Sequence, residues 1–117
     1  EITFSPIYDC GSCLNPLLED TELENMNSAE IKNLAINCYS CIKLNEKKIN
    51  YMSFMQKMEN KECNDAIKRK FKKVNINEIH FFIDGIECIS DIRKKFYKEI
   101  ISYRYNNLKN IYEKLKS

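Results

Sequence analysis

Apolar residues recur every three or four positions along most of this chain, the spacing that places them on one face of an α-helix. The most regular segment begins at Asn27, where a capping side chain followed by Glu30 is typical of a helix start, and it continues to about Lys43. Its apolar face comprises Ile31, Leu34, Ala35, Cys38, Cys41 and Ile42. The pattern predicts one well-defined helix over about residues 27–43.

The same spacing predicts helices before and after this segment. Ser5 and Pro6 suit the start of a short or kinked first helix, and residues 19–27 have the polar character of a loop. Further helices are expected over about residues 46–59 and 61–73, and from Asn75 to residue 117 with breaks at 84–85 or 106–107. With two Gly and two Pro, the chain is short of the turn residues of an all-β fold. We predict an all-α single domain over residues 1–117, a compact bundle of four to six helices.

An internal duplication is one interpretation of the pattern. A shift of 47 residues aligns Cys41 with Cys88 and brings the two predicted caps, Asn27 and Asn75, within one residue of each other. This alignment predicts two related helical hairpins, over residues 27–63 and 75–110. Chance similarity in a chain rich in Lys, Ile and Asn would produce the same alignment, so both interpretations stay open.

Six cysteines in 117 residues are the strongest chemical signal of the sequence. They form two Cys-x-x-Cys pairs followed by two single residues, namely Cys10, Cys13, Cys38, Cys41, Cys63 and Cys88. Two such pairs at this separation are typical of a tetrahedral zinc site, but Leu14 and Ile42 stand where zinc knuckles usually carry glycine. We therefore favour disulfides and expect no cofactor, with a zinc site at Cys10, Cys13, Cys38 and Cys41 as the alternative.

Helix geometry predicts how the cysteines pair. If the first two predicted helices run antiparallel, Cys10–Cys41 and Cys13–Cys38 form two rungs between them, and Cys63–Cys88 is the third disulfide. Disulfide-rich small domains are typical of secreted proteins, and the chain begins at Glu1 without a Met, as a mature secreted product would. No apolar run is long enough to cross a bilayer. We predict a secreted, extracellular protein stapled by three disulfides.

Charge is distributed unevenly along the chain. Residues 1–30 hold seven acidic and no basic side chains, whereas residues 31–117 hold nineteen basic and ten acidic ones. The acidic end is expected to dock on the basic body, with two distinct partner-binding faces as the alternative. The densest basic run and two tyrosines are the predicted partner-binding residues: Lys68, Arg69, Lys70, Lys72, Lys73, Tyr97 and Tyr105. Nucleic acid or another anionic surface would suit the run, although a solvated helix face has the same composition.

Recognisable catalytic signatures are absent from the sequence. It contains no Gly-rich phosphate loop, no Gly-x-Ser-x-Gly and no His-Glu-x-x-His. His80, the single histidine, lies near the start of a predicted helix and is interpreted as a partly exposed residue. We predict that the protein is not an enzyme.

One cysteine motif resembles a known family. The segment Cys38-Tyr39-Ser40-Cys41 carries the Cys-Tyr-x-Cys element of the bicycle proteins, secreted salivary effectors of gall-forming aphids, while Cys10 and Cys13 have their tyrosine ahead of them at Tyr8. The resemblance implies secretion into plant tissue and manipulation of host development, without catalytic residues.

The sequence therefore predicts a secreted, non-enzymatic, Cys-rich helical effector that binds an unidentified host protein. Two alternatives stay open. The first is an intracellular Cys₄ zinc module that binds nucleic acid through its basic face. The second is a small lipid-binding helical protein whose cavity would be lined by Met52, Met55 and Met58.

Overall fold

Six α-helices and one β-hairpin make up residues 14–116, the part of the chain that the computed structural model describes, with the side chains of residues 40–42 and 44 left aside. In chain order they are α1 (Asp20–Glu24), α2 (Ser28–Ile36), β1 (Tyr39–Leu44), β2 (Lys47–Asn50), α3 (Tyr51–Lys57), α4 (Lys61–Lys70), a 3₁₀ helix (Phe71–Lys73), α5 (Ile76–Asp84) and α6 (Asp91–Lys116). The predicted all-α class with four to six helices is confirmed. The short helix α1 lies in a segment that was expected to be a loop.

Asparagine side chains begin four of the helices. The side-chain oxygen of Asn27 accepts from the Glu30 amide at 2.8 Å, and Asn75 accepts from the Asn77 and Glu78 amides at 3.0 and 3.3 Å. Asn50 and Asn60 cap α3 and α4 in the same way. Each cap satisfies backbone N–H groups that have no partner inside the helix. The predicted caps at Asn27 and Asn75 are confirmed.

A β-hairpin replaces part of the most regular predicted helix, and that prediction is wrong beyond Ile36. Strands β1 and β2 pair antiparallel, with Lys43 opposite Lys48 and Leu44 opposite Lys47. Residues 45 and 46 turn between them with positive φ of 53° and 67°, the combination that a two-residue type I′ hairpin requires. The apolar spacing of residues 38–42 fits a helix, but pairing with the later segment 47–50 decides for a strand. As a result, α3 begins at Tyr51 and not at about residue 46.

Of the two helix breaks predicted for the last 43 residues, one is present in the structure and the other is not. α5 ends at Asp84, and the Gly85 amide donates to the carbonyls of Phe81 and Phe82 at 3.2 and 3.1 Å. No interruption occurs at residues 106–107, because α6 runs without a break for 26 residues. At 1.5 Å per residue, α6 is roughly 39 Å long, which makes it the central support of the fold.

Two apolar clusters pack along α6. The first consists of Leu23, Ile31, Ala35, Phe96 and Ile100. The second consists of Met52, Ile67 and Ile111, with the half-buried Met55, Met58 and Phe71 around them. Helices α1 and α2 thus cover the N-terminal half of α6, and α3 and α4 cover its C-terminal half. The methionines of the lipid-binding alternative pack in this second cluster against Ile67 and Ile111.

Candidate functional site

The most concentrated polar chemistry of the fold lies where α5 packs against α6. Ser102 Oγ is 3.0 Å from His80 Nε2, and one turn further along α5 the Lys98 ammonium donates to Asp84 Oδ1 at 2.7 Å. Lys94 Nζ donates to the Asp84 carbonyl at 3.1 Å. The later residue of α5, Asp84, contacts the earlier residue of α6, Lys98, and the earlier residue, His80, contacts the later one, Ser102. The two helices therefore run in opposite directions.

The electrostatics of this contact centre on Asp84. The hydrogen bond from Lys98 is the largest effect and lowers the pKa of the Asp84 carboxyl below its ordinary 3.8. Desolvation acts in the opposite direction, and the positive charges of Lys98, Lys94 and His80 lower the pKa further. The carboxylate is therefore ionised at neutral pH, and Asp84 and Lys98 form an ion pair across the two helices.

A groove of about 540 Å³ opens beside these contacts. It is lined by Ser28, His80, Lys95, Lys98, Glu99, Ser102, Tyr103 and Asn106. A hydroxyl hydrogen-bonded to an imidazole also occurs in serine nucleophiles, where a carboxylate orients the second ring nitrogen. Here the nearby carboxylate of Asp84 accepts from Lys98. The arrangement is suited to holding polar or anionic groups and to fixing α5 on α6.

Two arginines of α6 connect distant parts of the chain. Arg93, with 15% of its side chain exposed, donates to the Leu18 carbonyl and pairs with Asp20 Oδ1 at 3.2 Å. Hydrogen bonding to Tyr97, together with the charge of Asp20, raises the pKa of Arg93. The pair with Asp20 is one instance of the expected docking of the acidic end on the basic body.

Arg104 makes the second long-range connection. Its Nε donates to the Ala35 carbonyl at 3.0 Å and its Nη2 to Cys38 Sγ at 3.1 Å. These contacts hold the end of α2 and the start of the hairpin against α6. Sequence reasoning did not find Arg93, Arg104 or the His80–Ser102 contact, because partners separated by 22 to 75 positions leave no periodic signal.

The predicted disulfides are not supported by the cysteines that the structure describes. Cys38, Cys63 and Cys88 are free thiols, so the predicted Cys63–Cys88 bond is not formed. Cys63 is half-buried beside the second cluster, whereas Cys88 is exposed between α5 and α6. Cys38 Sγ donates to the Leu34 carbonyl at 3.1 Å.

Of the other two predicted pairs, Cys13–Cys38 is not formed either, because Cys38 is a free thiol. Cys10 lies outside the described residues, so the Cys10–Cys41 pair stays a prediction. The helical rung geometry from which both pairs were deduced is wrong, because Cys41 lies in a strand. The zinc alternative needs Cys10 and Cys13, which also lie outside. Among the side chains that the structure describes, which do not include that of Cys41, no three of His, Cys, Asp or Glu come together as ligands for a metal ion.

The predicted partner-binding residues fall into two places. Lys68, which pairs with Asp65 at 3.7 Å, and the exposed Arg69, Lys70, Lys72 and Lys73 lie at the end of α4 and in the 3₁₀ helix. Phe71 lies within the basic run and connects it to Tyr105. The centre of the Phe71 ring is 5.1 Å from that of Tyr105 and 5.2 Å from that of Tyr112.

Tyr97 belongs to the other half of α6, where the Arg93 guanidinium is 6.0 Å from its ring. The structure thus brings Tyr105 to the basic run but not Tyr97. Across residues 14–116, none of the helices combines the length and the apolar character needed to span a bilayer.

Comparison with known proteins identifies a similar solved structure. A chain in the crystal structure of a Helicobacter pylori proinflammatory kinase, CtkA, superimposes on 96% of this chain with a TM-score of 0.88 and 32% sequence identity. The serine/threonine-protein kinase CtkA of Helicobacter pylori strain J99 is also 40% identical over an alignment of 70 residues that covers 56% of this chain. No family model matches the sequence.

The chain spans 42% of the solved kinase chain and 21% of the curated kinase sequence. The similarity therefore concerns a part of a longer bacterial protein.

These similarities correct the functional predictions. The resemblance to aphid bicycle proteins is wrong, and with it the interpretation as a salivary gall effector, because the similar proteins are bacterial kinases. Four residues of one Cys-Tyr-x-Cys element are too few to define a family. The prediction of a non-enzymatic protein is likewise overturned, as are the zinc-module and lipid-binding alternatives. A relative similar in sequence and a solved chain similar in structure are both named as kinases.

Proposed function

We propose that this chain is the helical part of a serine/threonine protein kinase. The observation that supports the proposal is the agreement over 96% of the chain with a solved kinase chain, at a TM-score of 0.88 and 32% identity. Agreement of this extent includes the order and packing of the helices along α6, and not merely their number.

In this proposal the chain works together with further kinase polypeptide. Phosphoryl transfer needs a phosphate-binding element, a divalent metal and a group that positions the nucleophile. With two glycines the chain cannot contain Gly-x-Gly-x-x-Gly, and its single histidine is followed by two phenylalanines and not by Arg-Asp. The similar solved chain is more than twice as long as the matched part, which leaves room for these elements elsewhere.

The mechanical contribution of this part is rigidity. α6 joins both apolar clusters, and it is bonded to the side chains of Asp20 in α1 and Asp84 in α5 through Arg93 and Lys98, and to the Ala35 carbonyl of α2 through Arg104. A platform of this kind holds attached elements in fixed positions, and fixed positions are what phosphoryl transfer requires of a protein scaffold.

The test is a chimera in which this chain replaces the superimposable segment of the Helicobacter pylori kinase. We expect the purified chimera to transfer the γ-phosphate of labelled ATP to serine or threonine of a generic substrate protein, within about tenfold of the parent rate, a difference of roughly 1.4 kcal/mol in barrier. The parent kinase with the segment deleted is the negative control and should be inactive. A chimera that folds cooperatively but transfers no phosphate would contradict the proposal, as would transfer by the 117-residue chain alone.

A second proposal concerns the partner of the basic run. Four side chains, those of Arg69, Lys70, Lys72 and Lys73, are exposed around the inward-facing Phe71, and we propose that they bind an anionic macromolecule of a host. With duplex DNA as the probe, neutralising four phosphates gives a slope of about −3.6 for log K against log salt.

Replacing the four residues by Gln should remove most of this salt dependence. The matched control replaces Lys32, Lys43, Lys47 and Lys48, which are also exposed, by Gln and thus removes the same charge. Equal loss in both variants would show that net charge alone is responsible. Secretion of the protein stays a proposal as well, to be tested by locating it in the culture medium.

A further inference from the structure

Two neighbouring phenylalanines of α5 point their rings into solvent. Phe81 is 82% exposed and Phe82 is 71% exposed, whereas the next residue, Ile83, is 4% exposed. Since an aromatic side chain can bury 150–250 Å², the pair leaves roughly 300 Å² of apolar surface in water. The largest apolar patch on a typical monomeric protein is about 300–600 Å² and is often functional.

The geometry of α5 explains why this face has no cover. His80, Ile83 and Asp84 lie on the side that packs on α6. At 3.6 residues per turn, Phe82 and Phe81 are rotated by about 100° and 160° from Ile83. They therefore lie on the side of α5 away from α6, the helix on which it packs.

We propose that this Phe81–Phe82 face docks against the part of the kinase polypeptide that this chain does not match. The inference rests on the proposed function. The matched segment is 42% of the similar solved chain, so more than half of that chain lies outside the match and is available to cover a face of this fold. Phe81 and Phe82 form its most exposed pair of neighbouring large apolar side chains within residues 14–116.

The charges beside the two rings favour a protein surface over a membrane. Glu78 lies one turn before Phe82 and is exposed, and Glu87, also exposed, follows the end of α5. Carboxylates at these positions are repelled by anionic lipid headgroups. An apolar recess rimmed by hydrogen-bond donors or cations would accept both the rings and the carboxylates.

The first experiment compares hydrogen–deuterium exchange of α5 in the 117-residue chain and in the chimera described above. Docking should slow exchange of the α5 amides in the chimera by about tenfold or more, because opening of the helix would then require undocking. Unchanged exchange would overturn the docking proposal, whether or not the chimera transfers phosphate. Slowed exchange in an inactive chimera would support docking and count against the proposed function, so the two failures are distinguishable.

The second experiment uses Phe81→Ser/Phe82→Ser. Serine and phenylalanine have similar helix propensities, so the double variant of the 117-residue chain should melt within about 2 °C of wild type. In the chimera the same change should lower the melting temperature by several times that amount and reduce phosphate transfer by at least about tenfold. The matched control is Tyr39→Ser/Tyr51→Ser, which removes two other exposed rings (64% and 51%) and should affect neither protein. Equal effects of the two double variants in the chimera would overturn the proposal.

Two other occupants of the face are outcomes of the same test. Concentration-dependent dimerisation of the 117-residue chain that Phe81→Ser/Phe82→Ser abolishes would assign the face to a second copy. Co-sedimentation with phosphatidylserine vesicles that the same change abolishes would assign it to a membrane. Either result would overturn docking against the kinase polypeptide.

Discussion

Ile100 is the side chain whose truncation should cost this fold the most stability. It has no exposed surface and lies in the first cluster among Leu23, Ile31 and Phe96. Ile100→Ala removes three carbon atoms, worth about 0.8 kcal/mol each by transfer from water, and leaves a cavity whose cost adds to that loss. We expect the free energy of unfolding to fall by about 3 kcal/mol, a large share of the 5–15 kcal/mol typical of a small domain.

Urea unfolding of the 117-residue chain, followed by circular dichroism, measures this loss. With a slope of about 1.5 kcal/mol per molar, the midpoint should move down by roughly 2 M, and the melting temperature should fall by roughly 10 °C. Ile100→Val, which removes one carbon, should cost about 1 kcal/mol. The graded pair separates loss of packing from general damage to the helix.

The matched control is Leu17→Ala, a truncation of similar size at a side chain that is 93% exposed. Surface changes of this kind usually stay within about 0.5 kcal/mol of wild type. A loss below about 1 kcal/mol for Ile100→Ala, or an equal loss at Leu17, would refute the reasoning that the first cluster is the main core.

Three further changes and one chemical test follow from the site and the helix ends. Asn75→Ala removes the acceptor for two amides of α5 and should cost about 1 kcal/mol in urea unfolding, with Asn75→Asp retaining the cap. Asp84→Asn removes the ion pair with Lys98, so wild type should be the more stable protein at neutral pH. Because the pKa of Asp84 is lowered from 3.8 in the folded state, this advantage should be complete above pH 3.8 and disappear as the pH falls through the lower folded value; a difference that persists in stronger acid would contradict the assignment. Phe71→Leu loses two ring contacts and should cost about 1–2 kcal/mol, and a smaller loss would count against stacking. In unfolded protein without reductant, iodoacetamide should modify Cys38, Cys63 and Cys88. A chain mass two hydrogens below that of the fully reduced chain, with Cys63 unmodified, would contradict a free thiol at Cys63.

The kinase similarity and the sequence of this chain carry different information. Similarity over 96% of the chain fixes the arrangement of the helices, whereas phosphoryl transfer depends on a few side chains at defined distances from nucleotide and metal. What this chain shares with the solved kinase is therefore the packing of its helices. The activity itself has to be tested in a polypeptide that includes the remaining elements.

The sequence by itself determined the helical class and most helix starts of this protein. These features depend on neighbours a few positions apart, as the Asn27 and Asn75 caps and the Gly85 break show. The free energy of a helix cap, and the face on which an apolar stripe lies, depend on residues only a few positions apart. Both can therefore be estimated from a short window of sequence.

Tertiary structure alone decided the hairpin, the continuity of α6 and the site. Residues 38–42 have an apolar spacing that suits a helix, and only pairing with residues 47–50 makes them a strand. Asn106 and Asn107 interrupt nothing, because packing on both sides of α6 outweighs their weak helix propensity. The Arg93, Arg104 and His80 contacts join positions 22 to 75 residues apart. Such contacts form only when the whole chain has folded, and this is the physical reason why periodicity along the sequence cannot reveal them.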